Sequence, residues 1–254
     1  MSRGRQSDRS SLFPIFTYEK LMSAANPKPI IVFDLDGTIV DTAPDLLDSL
    51  NHCLAISGLK TADRESLRKF VGQGGRVMIE RAFAAQQKQA DDAQLDNLVE
   101  EFREHYANNM PGHSTFFPGV LDAMDRFSAS GYELAVCTNK FEALSVKLLT
   151  SMGEATRFAA ICGADTFAYR KPDPRHLTDT IARAGGNRER AIMVGDSRTD
   201  IDTAKAAGIP VVAVDFGYTD LPVHHYGPSR VISHFDEFTL EMAGELIAAV
   251  TDPV

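Results

Sequence analysis

Ile30-Ile31-Val32-Phe33-Asp34-Leu35-Asp36-Gly37-Thr38-Ile39-Val40-Asp41-Thr42 is the stretch whose reading decides the fold. Four apolar residues, the length of a short buried strand, run into two carboxylates two positions apart and then a glycine turn. Asp-Gly is elsewhere a common hairpin dipeptide. Here the next apolar pair, Ile39 and Val40, leads to Asp41-Thr42 and a helical pattern instead of a returning alternating strand. Two acids therefore stand where a buried strand ends.

Working outward, runs of strand length recur at residues 133–137, 159–162, 191–194 and 211–214, most of them apolar throughout. Uninterrupted apolar runs are what a parallel sheet covered on both faces requires. Between them Val120, Met124 and Phe127 recur at helical spacing before Gly131, and Leu144, Leu148, Leu149 and Met152 do the same before Gly153. A further helix is predicted over 199–207, stopped by Gly208 and Pro210. The alternation predicts an α/β fold, a parallel-sheet Rossmann-like core of five strands with helices on both faces.

Residues 44–113 break the alternation. Leu46, Leu47, Leu50 and Leu54, then 77–83, then 95–106, read as helices without strands. A small all-helical cap inserted into a catalytic core of 28–43 and 114–254 is expected, hinged at turn-rich flanks. Residues 1–27 carry Arg3, Arg5 and Arg9 among serines and read as a disordered tail; Asp8 and Glu19 count against an organellar presequence.

Bulk composition narrows the partners. Of the 254 residues 44% are hydrophobic and 24% charged, an ordinary globular balance. The 35 acidic groups exceed the 26 basic ones, for a net charge of -9, so no nucleic-acid partner is expected and a phosphate site must bring its own positive charge. Cys53, Cys137 and Cys162 are odd in number and lack metal-ligand spacing, which suits a reducing compartment. No run has the length of a membrane span. A cytoplasmic protein with no membrane partner is expected, as monomer or homodimer.

In open parallel sheets ligands bind outside the carboxyl ends of the strands. Asp34, Thr138 and Gly195-Asp196 each follow a predicted strand, and Asp200 lies four residues beyond Asp196. Any one of these segments has an ordinary reading as a turn or helix cap. Together they bring four carboxylates to one sheet edge, where each close pair costs about 4 kcal/mol at 4 Å with an effective dielectric near 20. A divalent cation removes that conflict, and magnesium prefers one or two carboxylates plus a substrate phosphate. Lys171, in Arg170-Lys171-Pro172-Asp173-Pro174, offers the positive charge, and Thr138-Asn139-Lys140 offers a hydroxyl and amides near a helix start.

Set in order, Asp34-x-Asp36-Gly37-Thr38, Thr138, Lys171 and Gly195-Asp196-x-x-x-Asp200 resemble the four motifs of the haloacid dehalogenase superfamily, from Ile30 to about Gly217. Within it, Thr138-Asn139-Lys140, Gly163-Ala164-Asp165-Thr166, the Lys171 segment and Gly195-Asp196-Ser197 are similar to phosphoglycolate phosphatases. The resemblance implies Asp34 as the nucleophile that carries the phosphoryl group and Asp36 as general acid and base. It implies Thr138, Asn139 and Lys171 on the phosphoryl oxygens. It also implies Mg2+ on Asp34, the Asp36 carbonyl and Asp196, with Asp200 in support.

The small phosphorylated substrate implied is 2-phosphoglycolate. In the cap, Val71-Gly72-Gln73-Gly74-Gly75-Arg76 is the candidate for touching its carboxylate, through Gly74 amides or Arg76. Neighbouring branches act on sugar phosphates or pyrophosphate, and a mutase or a non-enzymatic phosphate-binding module is the remaining alternative. A dehalogenase would not need Asp36. His113 and His176 are set aside as isolated histidines.

Overall fold

The structure is a computed structural model that describes residues 27–68 and 74–251. The tail expectation for residues 1–26, and Val71, Gly72 and Gln73 of the glycine loop, lie outside the described residues.

Central strand β1 (Lys28–Phe33) is buried from Pro29 onward, and its residues divide between two apolar layers. Ile31 and Phe33 pack on one face with Leu134, Val136, Ile192 and Val194. Ile30 and Val32 pack on the other with Ala135, Cys137, Ala191 and Met193. Successive side chains in a strand point to opposite faces, so a continuous apolar run is the signature of a sheet covered twice. Helices α5 (Val120–Ala129), α6 (Glu142–Ser151) and α9 (Leu240–Thr251) contribute to the first layer. Helices α7 (Pro174–Arg183) and α8 (Arg198–Ala207) form the second.

The other strands are β4 (Glu133–Cys137), β5 (Ala160–Cys162), β6 (Gly186–Gly195), β7 (Val211–Val214) and β8 (Arg230–Ile232). The order is β5-β4-β1-β6-β7-β8, with every pairing parallel. The chain steps outward from β1 to β4 and β5, then returns to β6 on the other side of β1. That reversal opens a crevice at the carboxyl end of β1, the place where such sheets bind ligands.

Among the described residues the main sheet has six strands where five are predicted. β8 escaped notice because only Ile232 of its three residues is buried. β6 also begins earlier than expected, through exposed Arg188, Glu189 and Arg190, which carry no apolar pattern.

Between residues 42 and 114 lie, among the described residues, four helices: α1 (Ala43–Ile56), α2 (Arg64–Arg68), α3 (Gly75–Ala85) and α4 (Asp92–Asn109). Leu50, Leu54, Met78, Ile79, Leu98 and Phe102 form their shared apolar contacts and continue into the first sheet layer. A two-residue ribbon, β2 (Val40–Asp41) antiparallel to β3 (Thr115–Phe116), joins the chain where it enters and leaves this helical segment. Asp45 reinforces the junction by accepting from His113 N at 2.8 Å and Ser114 Oγ at 2.5 Å.

Candidate active site

The ladder between β1 and β6 continues one step past Phe33, where Asp34 N donates to Val194 O at 2.9 Å. On the other flank Thr138 N donates to Cys162 O at 3.0 Å. These bonds hold Asp34, Thr138 and Asp196 at adjacent strand ends. Gly37 has φ +83°, and a Cβ there would collide with Asp196. Glycine is required so that the turn after Asp36 can close against that carboxylate.

Asp34, Asp196 and Asp200 place one carboxylate oxygen each within 4.8 Å of one another. Lys171 enters this cluster 3.0 Å from Asp34 Oδ1 and 2.5 Å from Asp200 Oδ1. The far oxygen of Asp200 accepts from Ser197 Oγ at 2.6 Å and Ser197 N at 3.1 Å. Both Asp200 oxygens are thus committed, and its work is to hold Lys171 and the start of α8. Asp196 accepts from Thr38 Oγ1 at 3.0 Å and Tyr218 N at 2.5 Å. Asp34 Oδ1 is buried, and among the described residues its polar neighbour is the Lys171 ammonium at 3.0 Å.

The electrostatics follow from burial. Desolvation pushes the Asp34 carboxyl up to about 6, opposed by Lys171 and assisted by Asp200 and Asp36. Burial, followed by Asp200 and Asp34, raises Asp196 well above the usual carboxylate range. Burial disfavours the charge on Lys171, yet Asp200 and Asp34 more than offset it and hold the ammonium protonated above its ordinary range. The donor set fits a hard divalent cation: oxygen only, crowded and desolvated.

Asp36 stands apart from this cluster. It accepts from Lys140 Nζ at 2.9 and 3.2 Å and from Thr42 Oγ1 at 2.7 Å. Thr42 is the N-cap of α1 but makes no side-chain cap bond, because its hydroxyl is spent on Asp36. Lys140 Nζ also sits 4.0 Å above the Tyr106 ring of α4. Burial opposes its charge, but Asp36 and Tyr106 outweigh that and raise its pKa.

A cavity opens above these groups, with Asp34, Asp36, Thr138, Asn139 and Lys140 on the sheet side. Gly74, Gly75, Met78, Val99, Phe102, Arg103 and Tyr106 face them from α3 and α4. The chemistry available is nucleophilic attack by a buried carboxylate beside a second, separately oriented carboxylate, with ammonium and hydroxyl groups at hand for a tetrahedral anion.

The profile of the haloacid dehalogenase-like hydrolases matches residues 31–214. The chain belongs to this family. It is a phosphoric monoester hydrolase by its relatives as well. A phosphoglycolate phosphatase of Mesorhizobium japonicum is 64% identical over 222 residues, 87% of this chain and 98% of that one. A solved Haemophilus somnus structure, a predicted phosphoglycolate phosphatase, superposes with a TM-score of 0.78 at 29% identity, covering 84% of this chain and 97% of that one. CbbY of Rhodobacter sphaeroides, solved in complex with phosphate, gives 0.71 at 25% identity, over 83% and 96%.

Within this hydrolase the structure brings together Asp34, Asp36, Thr138, Lys171, Asp196 and Asp200, and Asn139 donates from Nδ2 to Lys171 O at 3.1 Å. Gly74 lines the cavity; Arg76 does not. Arg76 is expected from the sequence to meet the substrate; the structure places its guanidinium against Asp92 at 2.8 Å, Glu80 at 3.3 Å and Asp96, on the outer side of α3 and α4. Acids one helix turn away and on the neighbouring helix outcompete the cavity.

Sequence reading passed over Lys140, Thr42 and Tyr218 as site residues. Lys140 stands in the strand-end triplet Thr138-Asn139-Lys140 and is findable by position, whereas Thr42 has the sequence signature of a helix cap. Tyr218 gave no signal, since its role is a backbone amide aimed at Asp196 and a hydroxyl that accepts from Ala43 N at 2.8 Å. His176 was set aside, yet its Nδ1 accepts from Lys171 N at 3.2 Å.

Proposed function

We propose that this hydrolase converts 2-phosphoglycolate and water to glycolate and phosphate through an aspartyl phosphate on Asp34. The observation that carries the mechanism is the division of partners between the two acids. Asp34 stands at the strand end with the Lys171 ammonium 3.0 Å from Oδ1, whereas Asp36 is oriented by Lys140 and Thr42. The Asp34 carboxylate attacks phosphorus, and the bond to the leaving oxygen breaks as Asp36 gives that oxygen a proton. Asp36 then takes a proton from water, whose oxygen attacks phosphorus and releases Asp34 with inorganic phosphate. Thr138 and Lys171 hold the phosphoryl oxygens, and Asp200 keeps Lys171 in place.

Asp34, the Asp36 carbonyl and Asp196 are the groups that would hold Mg2+. When bound, the ion supplies positive charge that offsets the crowded carboxylates and the phosphoryl oxygens. Residues 44–113 serve as a cap whose inner wall selects the leaving group. The substrate assignment is supported by the name of the Mesorhizobium japonicum relative, and three buried free cysteines suit a cytoplasmic setting. Among the described residues no helix is long and apolar enough to cross a membrane.

Magnesium-dependent phosphate release from 2-phosphoglycolate, p-nitrophenyl phosphate and xylulose 1,5-bisphosphate tests the reading; the last is included because a CbbY variant was solved with it. 2-Phosphoglycolate is expected to give the highest kcat/KM, with activity lost on chelation and restored by Mg2+. Another compound ahead by tenfold, about 1.4 kcal/mol, would refute the substrate and leave the mechanism. Phosphate release surviving in Asp34→Asn would refute the mechanism.

A further inference from the structure

A carboxylated phosphate ester carries two anionic ends, and the cations of the sheet edge are committed near one of them. Lys171 is held between Asp34 and Asp200, and Lys140 is held by Asp36. The opposing wall from α3 and α4 is apolar through Met78, Val99 and Phe102. Arg76 is occupied by three acids outside the cavity. Among the described residues, the cation that this wall itself presents to the cavity is Arg103 of α4.

The setting of Arg103 is specific. Its Cζ lies 4.4 Å over the ring of Phe141, the residue after Lys140, so the guanidinium plane is fixed where the helical segment meets the sheet edge. Nη1 donates to Glu100 Oε2 at 2.9 Å, an ion pair on its own helix. Nε is buried and, among the described residues, has no hydrogen-bond partner. An arginine whose Nη1 is engaged and whose plane is stacked keeps its side-on fork, Nε with Nη2, for a planar two-oxygen acceptor. A carboxylate matches that fork.

We propose that Arg103 binds the carboxylate of the substrate and sets the preference of this hydrolase for carboxylated phosphate monoesters. The assignment rests on the function proposed above and names the residue that reads the non-phosphate end. Tyr106, one turn further along α4, lies on the same side and against Lys140, so α4 contacts both ends of the site.

The test compares 2-phosphoglycolate with 2-phosphoglycolamide, which keeps the phosphate and the size but replaces the carboxylate by a neutral amide, on the full-length magnesium-loaded enzyme. Wild type is expected to favour the acid in kcat/KM by about tenfold or more. Arg103→Gln is expected to erase that preference, chiefly through KM for the acid. Arg103→Lys, which keeps the charge and the packed stem but loses the fork, is expected to retain only part of it, and carries the test if the glutamine variant folds poorly. An acid-over-amide ratio equal to wild type in the variants would overturn the role of Arg103 and leave the proposed substrate standing. A wild-type enzyme indifferent to the carboxylate would overturn both.

Discussion

The sheet edge and the helical segment above it hold their charges in opposite ways. At the sheet edge Lys171 and Asp200 are 1% and 0% exposed and bonded to each other. On the helices Arg76 and Asp92 meet at a similar distance but are 37% and 94% exposed. Breaking a buried pair strands a charge in a medium that cannot solvate it, at a cost of about 3–5 kcal/mol. An exposed pair is replaced by water with little loss. The sheet edge therefore holds its charges in a rigid, costly network, while the exposed ion pairs of the helices can change with little loss of stability.

That contrast is most exposed to failure at Lys171. Lys171→Met should lower kcat by on the order of 10³ and unfolding free energy by about 3–5 kcal/mol, since Asp34 and Asp200 lose their shared cation. Denaturant unfolding and steady-state kinetics check both, and a variant of wild-type stability would contradict the buried-network account.

His176 gives the next largest effect, in stability against pH. Burial, with Lys171 nearby, depresses its pKa to about 4. Below the ordinary histidine value near 6.5 the unfolded chain binds a proton that the folded one refuses, so stability falls as pH drops from about 6.5 to about 4. Over that window the loss of stability reaches about 3 kcal/mol. In His176→Gln the difference in stability from wild type should shift by that order between pH 7 and 4.5; parallel stability curves would show that the imidazole is not kept neutral.

Thr42→Val separates orientation from folding. Its hydroxyl serves Asp36 and not the helix end, so kcat should fall about tenfold while stability changes by less than about 1 kcal/mol. A large loss of stability with unchanged kcat would reverse the assignment. The smallest effect belongs to the helices: Arg76→Ala should leave kcat/KM within about twofold for carboxylated and neutral substrates alike. A selective loss on the carboxylated one would return Arg76 to the cavity.

Much of the core was legible because its signals are local. The apolar run at 30–33, the turn at Asp36-Gly37 and the capping pattern at Ser197 each lie within a few neighbouring residues. The two-residue strands β2 and β3 were not legible, being too short to carry a pattern and existing only as each other's partner. Arg76 and Arg103 show the limit in the helices. Both are arginines on amphipathic helices close to the cavity, and sequence favoured the one beside the glycine loop.

By itself, then, the sequence determined the parallel sheet, the strand ends that bear Asp34, Asp36, Thr138 and Asp196, and the need for a buried cation among them. Burial periodicity and charge crowding are properties of short segments and of composition. Tertiary structure alone decided which long side chain meets which charge: that Lys140, 104 residues from Asp36, orients it, that Tyr218 supplies an amide to Asp196, and that Arg103 rather than Arg76 faces the cavity. Those choices depend on distances between segments far apart in the chain, which packing of the apolar layers fixes and no local pattern encodes.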